Sequence, residues 1–575
     1  MGEIDLYDRL VDLAKRRGFF WPSYEIYGGV AGFYDWGPYG AVLKKNIIDK
    51  WRRTFILNHQ DFVVELESPV IGPSIVYEAS GHVENFTDPI VECLSCGRKF
   101  RADHIVEDKL GISTEGLTPE ELTKLIREHD IRCPVCGGQL GEVKTFNLLF
   151  QTRIGPFEHS LGYVRPELAQ GMFVAFKRVY EAMRNKLPLG IAQIGKVGRN
   201  EISPRQGLVR LREFTIMEME FFIDPEEKRC PMLAEKAEVK INILTQEAKK
   251  KGEAPKQYSL GEAVEEGVII HPCLAYWMGV AQEFMESLGV PRENMFFEDK
   301  LPEERAHYSS QTFDQLVKVS RWGWIEVAGH SYRGDYDLSR HIKYSGKDLR
   351  AHKRLKKPVK RKVRKILINK AAIGKRYRSE APKVIQLIEK TGLEQVLARI
   401  KEEGNIQLEG YEITRDMLFE KEVEETINVK RFVPHVIEPS FGTDRITYVT
   451  LEYAVKEKDG RLILSLPWDI APVKAAVLPL VERDDELRSK ARKIFQILTR
   501  EGIPAIYDDA GSIGRRYARA DEIGIPFAVT VDYQTLEDDT LTIRDRDTWR
   551  QVRIPSQEVA NIIRRAIEEN IPPWE

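Results

Sequence analysis

Six cysteines in 575 residues leave little for a disulfide framework, and the fold must rest on buried apolar surface. Long apolar runs are missing too. No stretch is long enough to span a bilayer and the N-terminus shows no basic and apolar leader, so a cytoplasmic, soluble protein without a membrane partner is expected. Charge of one sign is absent as a global feature: 87 lysines and arginines face 89 aspartates and glutamates. A nucleic-acid partner would therefore have to be met by local basic patches. The composition does supply 42% apolar residues, ample for several domains, and a 31% charged fraction of the kind found in thermophilic proteins.

Four of the few cysteines are concentrated in Cys93-Leu-Ser-Cys96-Gly and Cys133-Pro-Val-Cys136-Gly. Each glycine lets the backbone turn its N–H groups toward sulfur, and four thiolates fill a tetrahedral zinc ion completely, which makes a structural site. A disulfide pair or unligated thiols are the alternatives. Thr118-Pro119-Glu120-Glu121 between the knuckles reads as a helix start with its own capping box. Residues 91–140 are thus expected to form a zinc-binding insertion, while Cys230 and Cys273 read as isolated buried thiols.

The chain is organised around Lys196 to Ile223, which reads as two antiparallel strands joined by a polar loop. From Phe214 on, Ile216, Glu218, Glu220 and Phe222 share its face, while Thr215, Met217, Met219 and Phe221 point to a core. Arg199, Glu201, Arg210 and Phe214 together suit a nucleoside triphosphate: arginine forks for phosphate, a carboxylate for an exocyclic amine, a ring for a base.

The pattern Arg199-x-Glu201, loop, Arg210-x-x-x-Phe214 resembles motif 2 of class II aminoacyl-tRNA synthetases. Arg165-Pro-Glu167-Leu-Ala-Gln-Gly171 is similar to the substrate loop of the class IIa group, and Glu438-Pro-Ser440-Phe-Gly-Thr-Asp-Arg445 to motif 3 in its glycyl form. With Ser80-Gly81-His82, these stretches resemble the glycyl-tRNA synthetases of the archaeal and eukaryotic type over nearly the whole chain. The resemblance implies an α+β class II catalytic core, an antiparallel sheet flanked by helices and interrupted by insertions, plus a C-terminal α/β anticodon-binding domain. Residues 1–90 would hold the first part of the core with motif 1, 141–223 motif 2, 306–345 a further core segment and 433–467 motif 3. Insertions would occupy 91–140, 224–305 (helical) and 346–432 (basic), and the anticodon-binding domain 468–575. Another class IIa synthetase and a non-catalytic relative remain as alternatives.

Residue by residue, the resemblance implies Arg199 on the α-phosphate, Glu201 on the adenine amine, Phe214 under the base, and Arg210 and Arg445 on the γ-phosphate. Glu167, Glu218, Glu438 and Ser440 would surround glycine, with Arg333 at its carboxylate. The substrates would be ATP, glycine and tRNA(Gly), the metals Mg²⁺ and structural Zn²⁺, and the assembly a homodimer built on motif 1. No general base is evident, so arginines and Mg²⁺ are expected to carry the chemistry by positioning and charge neutralisation.

Several stretches give local expectations. Ala41 to Asn58 reads as a helix with Val42, Ile47, Ile48, Trp51 and Phe55 inward. From Arg350 to Lys365, ten basic residues stand with no acidic one, so Lys356, Lys357, Lys360 and Arg361 are candidates for phosphate contacts; a solvated loop is the alternative. After Trp468 strands alternate with helices, as in an α/β domain with a mostly parallel sheet. The resemblance puts Arg515, Arg516 and Arg519 on or near its RNA-facing helix.

Overall fold

The computed structural model describes residues 5–112, 114, 116–156, 160–306 and 308–575, with the backbone alone at 356, 361, 363 and 425. Its centre is a nine-stranded sheet. In chain order the strands are β1 (Val63–Glu65), β2 (Leu189–Gly198), β3 (Glu213–Ile223), β4 (Lys240–Leu244), β5 (Lys256–Ser259), β6 (Met295–Asp299), β7 (Gln311–Val319), β8 (Gly323–Gly334) and β9 (His435–Gly442). Their spatial order is β5-β4-β6-β7-β8-β9-β3-β2-β1. All neighbours run antiparallel except β1 with β2 and β4 with β6. Thus β9, late in the chain, is inserted between β8 and β3, and residues distant in sequence become neighbours at the sheet centre.

Period-two alternation gives this sheet two different faces. Met217, Met219, Phe221, Ile437 and Phe441 are buried on one side, against helices α1 (Pro38–Trp51) and α3 (Pro272–Ser287). Phe55 lies 5.0 Å from Trp51 and 4.9 Å from Phe441, ring centre to ring centre, and Trp277 lies 5.4 Å from Phe221. Each such fully buried ring contributes roughly 1.5–3 kcal/mol of transfer free energy. Leu43, Ile47 and Trp51 are the inward stripe of α1, whereas Val42 is exposed. A four-residue spacing keeps 43, 47 and 51 on one side, and position 42 is rotated off it. The backbone then passes through a π-helical turn, Arg52–Ile56. The other sheet face is partly covered by α2 (Ala169–Ala182) and α4 (Tyr336–Ser345).

Residues 224–300 differ from the expected helical insertion. They contribute β4, β5 and β6 to the edge of the central sheet, with only α3 as a long helix. The strands are short and their flanks charged, which hid the alternation. The zinc-candidate unit carries its own core of Val91, Phe100, Val106, Leu122 and Ile126. Its helix Pro119–Glu128 starts with a complete capping box between Thr118 and Glu121.

The C-terminal region packs helices α6 (Asp485–Arg500), α7 (Ile513–Ile523) and α8 (Val559–Glu569) on a five-stranded sheet of β10 (Ala475–Pro479), β11 (Ala505–Tyr507), β12 (Phe527–Val531), β13 (Thr540–Asp545) and β14 (Gln551–Pro555). The order is β11-β10-β12-β13-β14. The β10 pairings to β11 and β12 are parallel and the remaining two antiparallel, so the sheet is a parallel core with a hairpin added.

Residues 350–432 form a separate compact unit. The basic run is not a loop: it lies in a strand, Ala351–Ile368, paired with Leu418–Phe432 in a long antiparallel ribbon. Lys362 stands opposite Glu424 and Arg364 opposite Glu422. Cross-strand carboxylates relieve the self-repulsion that makes an isolated basic run unfold. Three helices, Lys370–Tyr377, Ala381–Thr391 and Leu393–Glu403, close over a small apolar core that includes Ile373, Val384 and Ile400.

Candidate active site

A pocket of about 450 Å³ opens on the polar face of the central sheet. Its floor is made by the strands that the topology brings together: Phe214, Ile216 and Glu218 from β3, Glu438, Ser440 and Gly442 from β9, Gly329 and Ser331 from β8. Glu218 stands opposite Ser440 across the β3–β9 pairing, and Ser331 opposite Glu438 across β8–β9. The wall is completed by Glu167, Arg199, Glu201, Arg210 and Arg445. Arg333 is the exception among the expected glycine ligands.

One end of the pocket is rich in carboxylates. Glu218 accepts a 2.8 Å bond from the Leu168 N–H, and Gln170 bridges Glu167 (2.8 Å) and Asp337 (3.0 Å). His82 links Ser80 (2.7 Å) to Glu167 (3.5 Å). Arg333 lies on this same face of the sheet at the closed end of the pocket, buried, with its fork 2.9 Å from Asp337, 3.1 Å from Glu438 and 3.7 Å from Glu167. It braces these carboxylates and is not itself among the residues that line the pocket. Burial pushes the Glu218 and Glu438 carboxyls up, Glu438 well up. At Glu167 the same burial is overcome by His82 and Arg333, which hold it well below the usual carboxylate range. His82 and Gln170 lie in stretches that carry the resemblance and Glu220 shares the face of Glu218 two positions on, but neither they nor Asp337 have a role of their own in the sequence reading.

The other end is rich in arginine. The Arg199 guanidinium lies 5.5 Å from the ring centre of Phe86 and 5.4 Å from that of Phe214, and its Nε donates to the Pro166 carbonyl at 3.1 Å. Arg210 approaches Glu201 at 3.8 Å, and burial lowers the Arg210 pKa. Arg445 is anchored by Nε on the Val209 carbonyl (2.7 Å) and pairs with Glu326 at 3.2 Å. Asp314, another pocket residue, is pushed up to about 7 by burial and then by Glu326. The neighbouring Asp444 accepts from Lys44 Nζ (2.6 Å), Trp36 Nε1 (2.7 Å) and the Thr215 N–H (2.6 Å). It ties α1, the Tyr34–Trp36 strand and β3 to the start of helix α5 (Thr443–Ala454). Arg199, Arg210 and Arg445 thus line one end of the cleft, with Arg199 and Arg445 held on backbone carbonyls, an arrangement that suits an anion.

The four paired cysteines converge, with one sulfur of each within 4.8 Å of the others. Sγ of Cys93 is 3.5 Å from that of Cys136, and Cys96 is 3.8 Å from Cys133. A tetrahedron with bonds of about 2.3 Å requires edges of about 3.8 Å, so the donor set can hold a metal ion. Gly97 and Gly137 take positive φ in the two knuckles, where a side chain would be strained.

The expected RNA-facing arginines separate. Arg515 is exposed, and Arg519 is paired with Asp508 at 2.6 Å. Arg516 is buried and donates to the Pro479 and Gly511 carbonyls; it braces β10 against α7 and presents nothing to RNA, because position 516 falls on the inward side of an amphipathic helix. Lys357 and Lys360 are exposed on the ribbon; the side chains of Lys356 and Arg361 lie outside the described residues.

Comparison with known proteins agrees with this geometry. Residues 474–566 match the family model of an anticodon binding domain. The solved prolyl-tRNA synthetase from Cryptosporidium parvum, complexed with halofuginone and AMPPNP, superposes with a TM-score of 0.52 at 12% identity, covering 98% of this chain and 77% of that one, and so shares its fold. The glycine–tRNA ligase of Aeropyrum pernix is 64% identical over 566 residues, 98% of this chain and 97% of that protein. Those of Thermococcus sibiricus and Methanocaldococcus jannaschii are 47% and 45% identical over 98% and 99% of this chain. With identity of this level running from the first core strand through the C-terminal sheet, the chain belongs to the glycine–tRNA ligase family of class II aminoacyl-tRNA synthetases.

Proposed function

We propose that this pocket activates glycine with ATP and passes it to the terminal ribose of tRNA(Gly). The observation that carries the reading is that one cleft is lined at one end by Arg199, Arg210, Phe214 and Arg445 and at the other by Glu167, Glu218 and Glu438. The first set suits a triphosphate and a base, the second a small ammonium. A glycine carboxylate oxygen, already anionic, attacks the α-phosphorus of ATP and pyrophosphate leaves; no base is needed to create the nucleophile. Arg199 neutralises the α-phosphate, Arg210 and Arg445 the γ-phosphate, Phe214 stacks on adenine and Glu201 accepts from its amine. In the second step the ribose hydroxyl attacks the glycyl carbonyl and AMP departs. Mg²⁺ would neutralise phosphate charge, held by Glu326 and Asp314 beside Arg445.

Glu218, Glu438 and Ser440 take the substrate ammonium in this reading, and Arg333 keeps the carboxylates in place. The cysteine cluster holds zinc as a structural ion, since four thiolates leave no open position for substrate. Val70, Ile71 and Ile75 are exposed in the single chain and belong to the motif 1 region, so a second copy of the chain is their natural cover. Among the described residues no helix is long and apolar enough to cross a membrane. Pyrophosphate exchange run with each amino acid in turn is the test: exchange with glycine alone supports the assignment, and exchange with proline or threonine, or with none, refutes it.

A further inference from the structure

Glu218, Glu220 and Glu438 each place a carboxylate oxygen within 4.8 Å of the others, at 1%, 0% and 6% exposure. Three ionised carboxylates this close and this dry repel one another too strongly to coexist without positive charge. The groups facing them supply little. Arg333 from β8 reaches Glu438 at 3.1 Å but is already engaged by both oxygens of Asp337 from α4 at 2.9 Å, and Arg165, the other cation that acts on Glu218, is held on the Lys196 and Ser68 carbonyls. Glu167 from the substrate loop adds a further negative charge and has His82 and Gln170 as its own partners. His341 bonds to Gln170 (2.9 Å) and Tyr308 lies over Arg333. Glu218 is bonded by the Leu168 N–H, by Ser440 and by Glu438 itself, and a bond between two carboxyl groups requires a proton on one of them. Glu220 has no hydrogen-bond partner on either oxygen, which is affordable for a neutral acid and not for a buried anion.

We propose that the empty pocket holds a proton shared among Glu218, Glu220 and Glu438, that the ammonium of glycine displaces it, and that Glu220, though outside the pocket wall, is a positioning residue through this exchange. The balance is a protonated site plus zwitterionic glycine giving the glycine complex plus one free proton. The incoming ammonium brings the positive charge that the proton had supplied, so the trio is never left fully ionised and unpaired. Burial, the largest influence on both Glu220 and Glu438, favours the protonated form in the same direction. The inference rests on the glycine site proposed above and deepens it.

The test is calorimetric titration of the full chain with glycine in buffers of low and high ionisation enthalpy, at several pH values between 6 and 8. Release approaching one proton per site is expected, with the glycine Kd falling as pH rises, by up to about tenfold per unit. In Glu220→Gln, neutral at every pH, proton release should drop by at least half, with weaker but measurable binding. No release in the natural protein, or equal release in the variant, overturns the proposal. Should the variant fail to fold, a flat pH profile of the natural protein's Kd still overturns it. Glycine binding that is abolished by a chelator would make the trio a cation site and likewise overturn the proton. Glycine-dependent pyrophosphate exchange without proton release would sink this inference alone and leave the assigned function standing.

Discussion

Removing Lys44 or Asp444 tests whether the join between α1 and motif 3 carries the energy that its geometry implies. The pair is 2.6 Å apart and its side chains are 9% and 5% exposed. Stripping one partner from a buried pair costs about 3–5 kcal/mol. In Lys44→Met, Asp444 keeps the Trp36 and Thr215 donors, and each bond to a charged group is worth roughly 1.5–3 kcal/mol, so the loss should sit near the low end, about 3 kcal/mol. In Asp444→Asn the amide oxygen can still accept from Lys44 and Trp36, but the buried ammonium loses its counter-charge and the amide NH2 meets the Thr215 N–H, donor against donor, so the loss should reach about 5 kcal/mol. The double variant should be more stable than Asp444→Asn alone, since it removes the stranded charge. Calorimetric unfolding of the four proteins at neutral pH gives the order. The Asp444 carboxyl is held below its ordinary range, against burial, by Lys44, Thr215 and Trp36. Its contribution is therefore full above about pH 4 and fades as pH falls further, so the gap between natural protein and Lys44→Met should narrow there. Because Arg445 is the next residue, both single variants should raise the KM for ATP more than that for glycine. A Lys44→Met loss equal to or above that of Asp444→Asn, or strict additivity, would refute the account.

Protein purified without chelator should contain one zinc per chain by elemental analysis, and Cys133→Ser should lower thermal stability more than it changes pyrophosphate exchange. Arg516→Ala should destabilise the C-terminal domain measurably, since it empties a buried guanidinium site, whereas Arg515→Ala should leave unfolding unchanged and be read out by tRNA affinity. Replacing Lys357, Lys360 and Lys362 together by Ala should weaken tRNA binding and flatten its salt dependence in a filter-binding series, with adenylate formation retained. Glu438→Gln should raise the pyrophosphate-exchange KM for glycine sharply and leave that for ATP little changed; the reverse pattern would mean that this glutamate serves the nucleotide.

Sequence patterning shows most where one face of an element is buried and the other is chemical. Strand β3 reads correctly because Met217, Met219 and Phe221 alternate with Glu218 and Glu220, and the C-terminal domain because its strands are apolar runs bounded by amphipathic helices. The edge strands β4 to β6 do not, since four or five residues among charges give neither period a chance to repeat. The site itself was legible as far as its motifs reach. His82, Gln170, Asp337 and Asp444 hold those motifs in place through contacts that span up to 408 residues, and no local pattern encodes such contacts. The resemblance alone places Arg333 at a substrate carboxylate, and no local pattern encodes the Asp337, Glu438 and Glu167 carboxylates that surround it.

The near-zero net charge also proves to be a sum of unlike parts. Residues 350–432 hold 22 lysines and arginines against 12 aspartates and glutamates, leaving 65 against 77 in the rest of the chain. An acidic body would repel a polyanion at long range, and a basic unit would attract it within a Debye length of about 8 Å at physiological salt. The same division suits the chemistry. The carboxylates that grip an ammonium cannot be diluted by surrounding cations without losing that grip, and the cations that meet phosphate lose counterion release if carboxylates sit among them. Placing part of the positive charge on a separately folded ribbon meets both demands. The glutamates on its second strand then have a purpose of their own: standing opposite Lys362 and Arg364, they allow the strand to form.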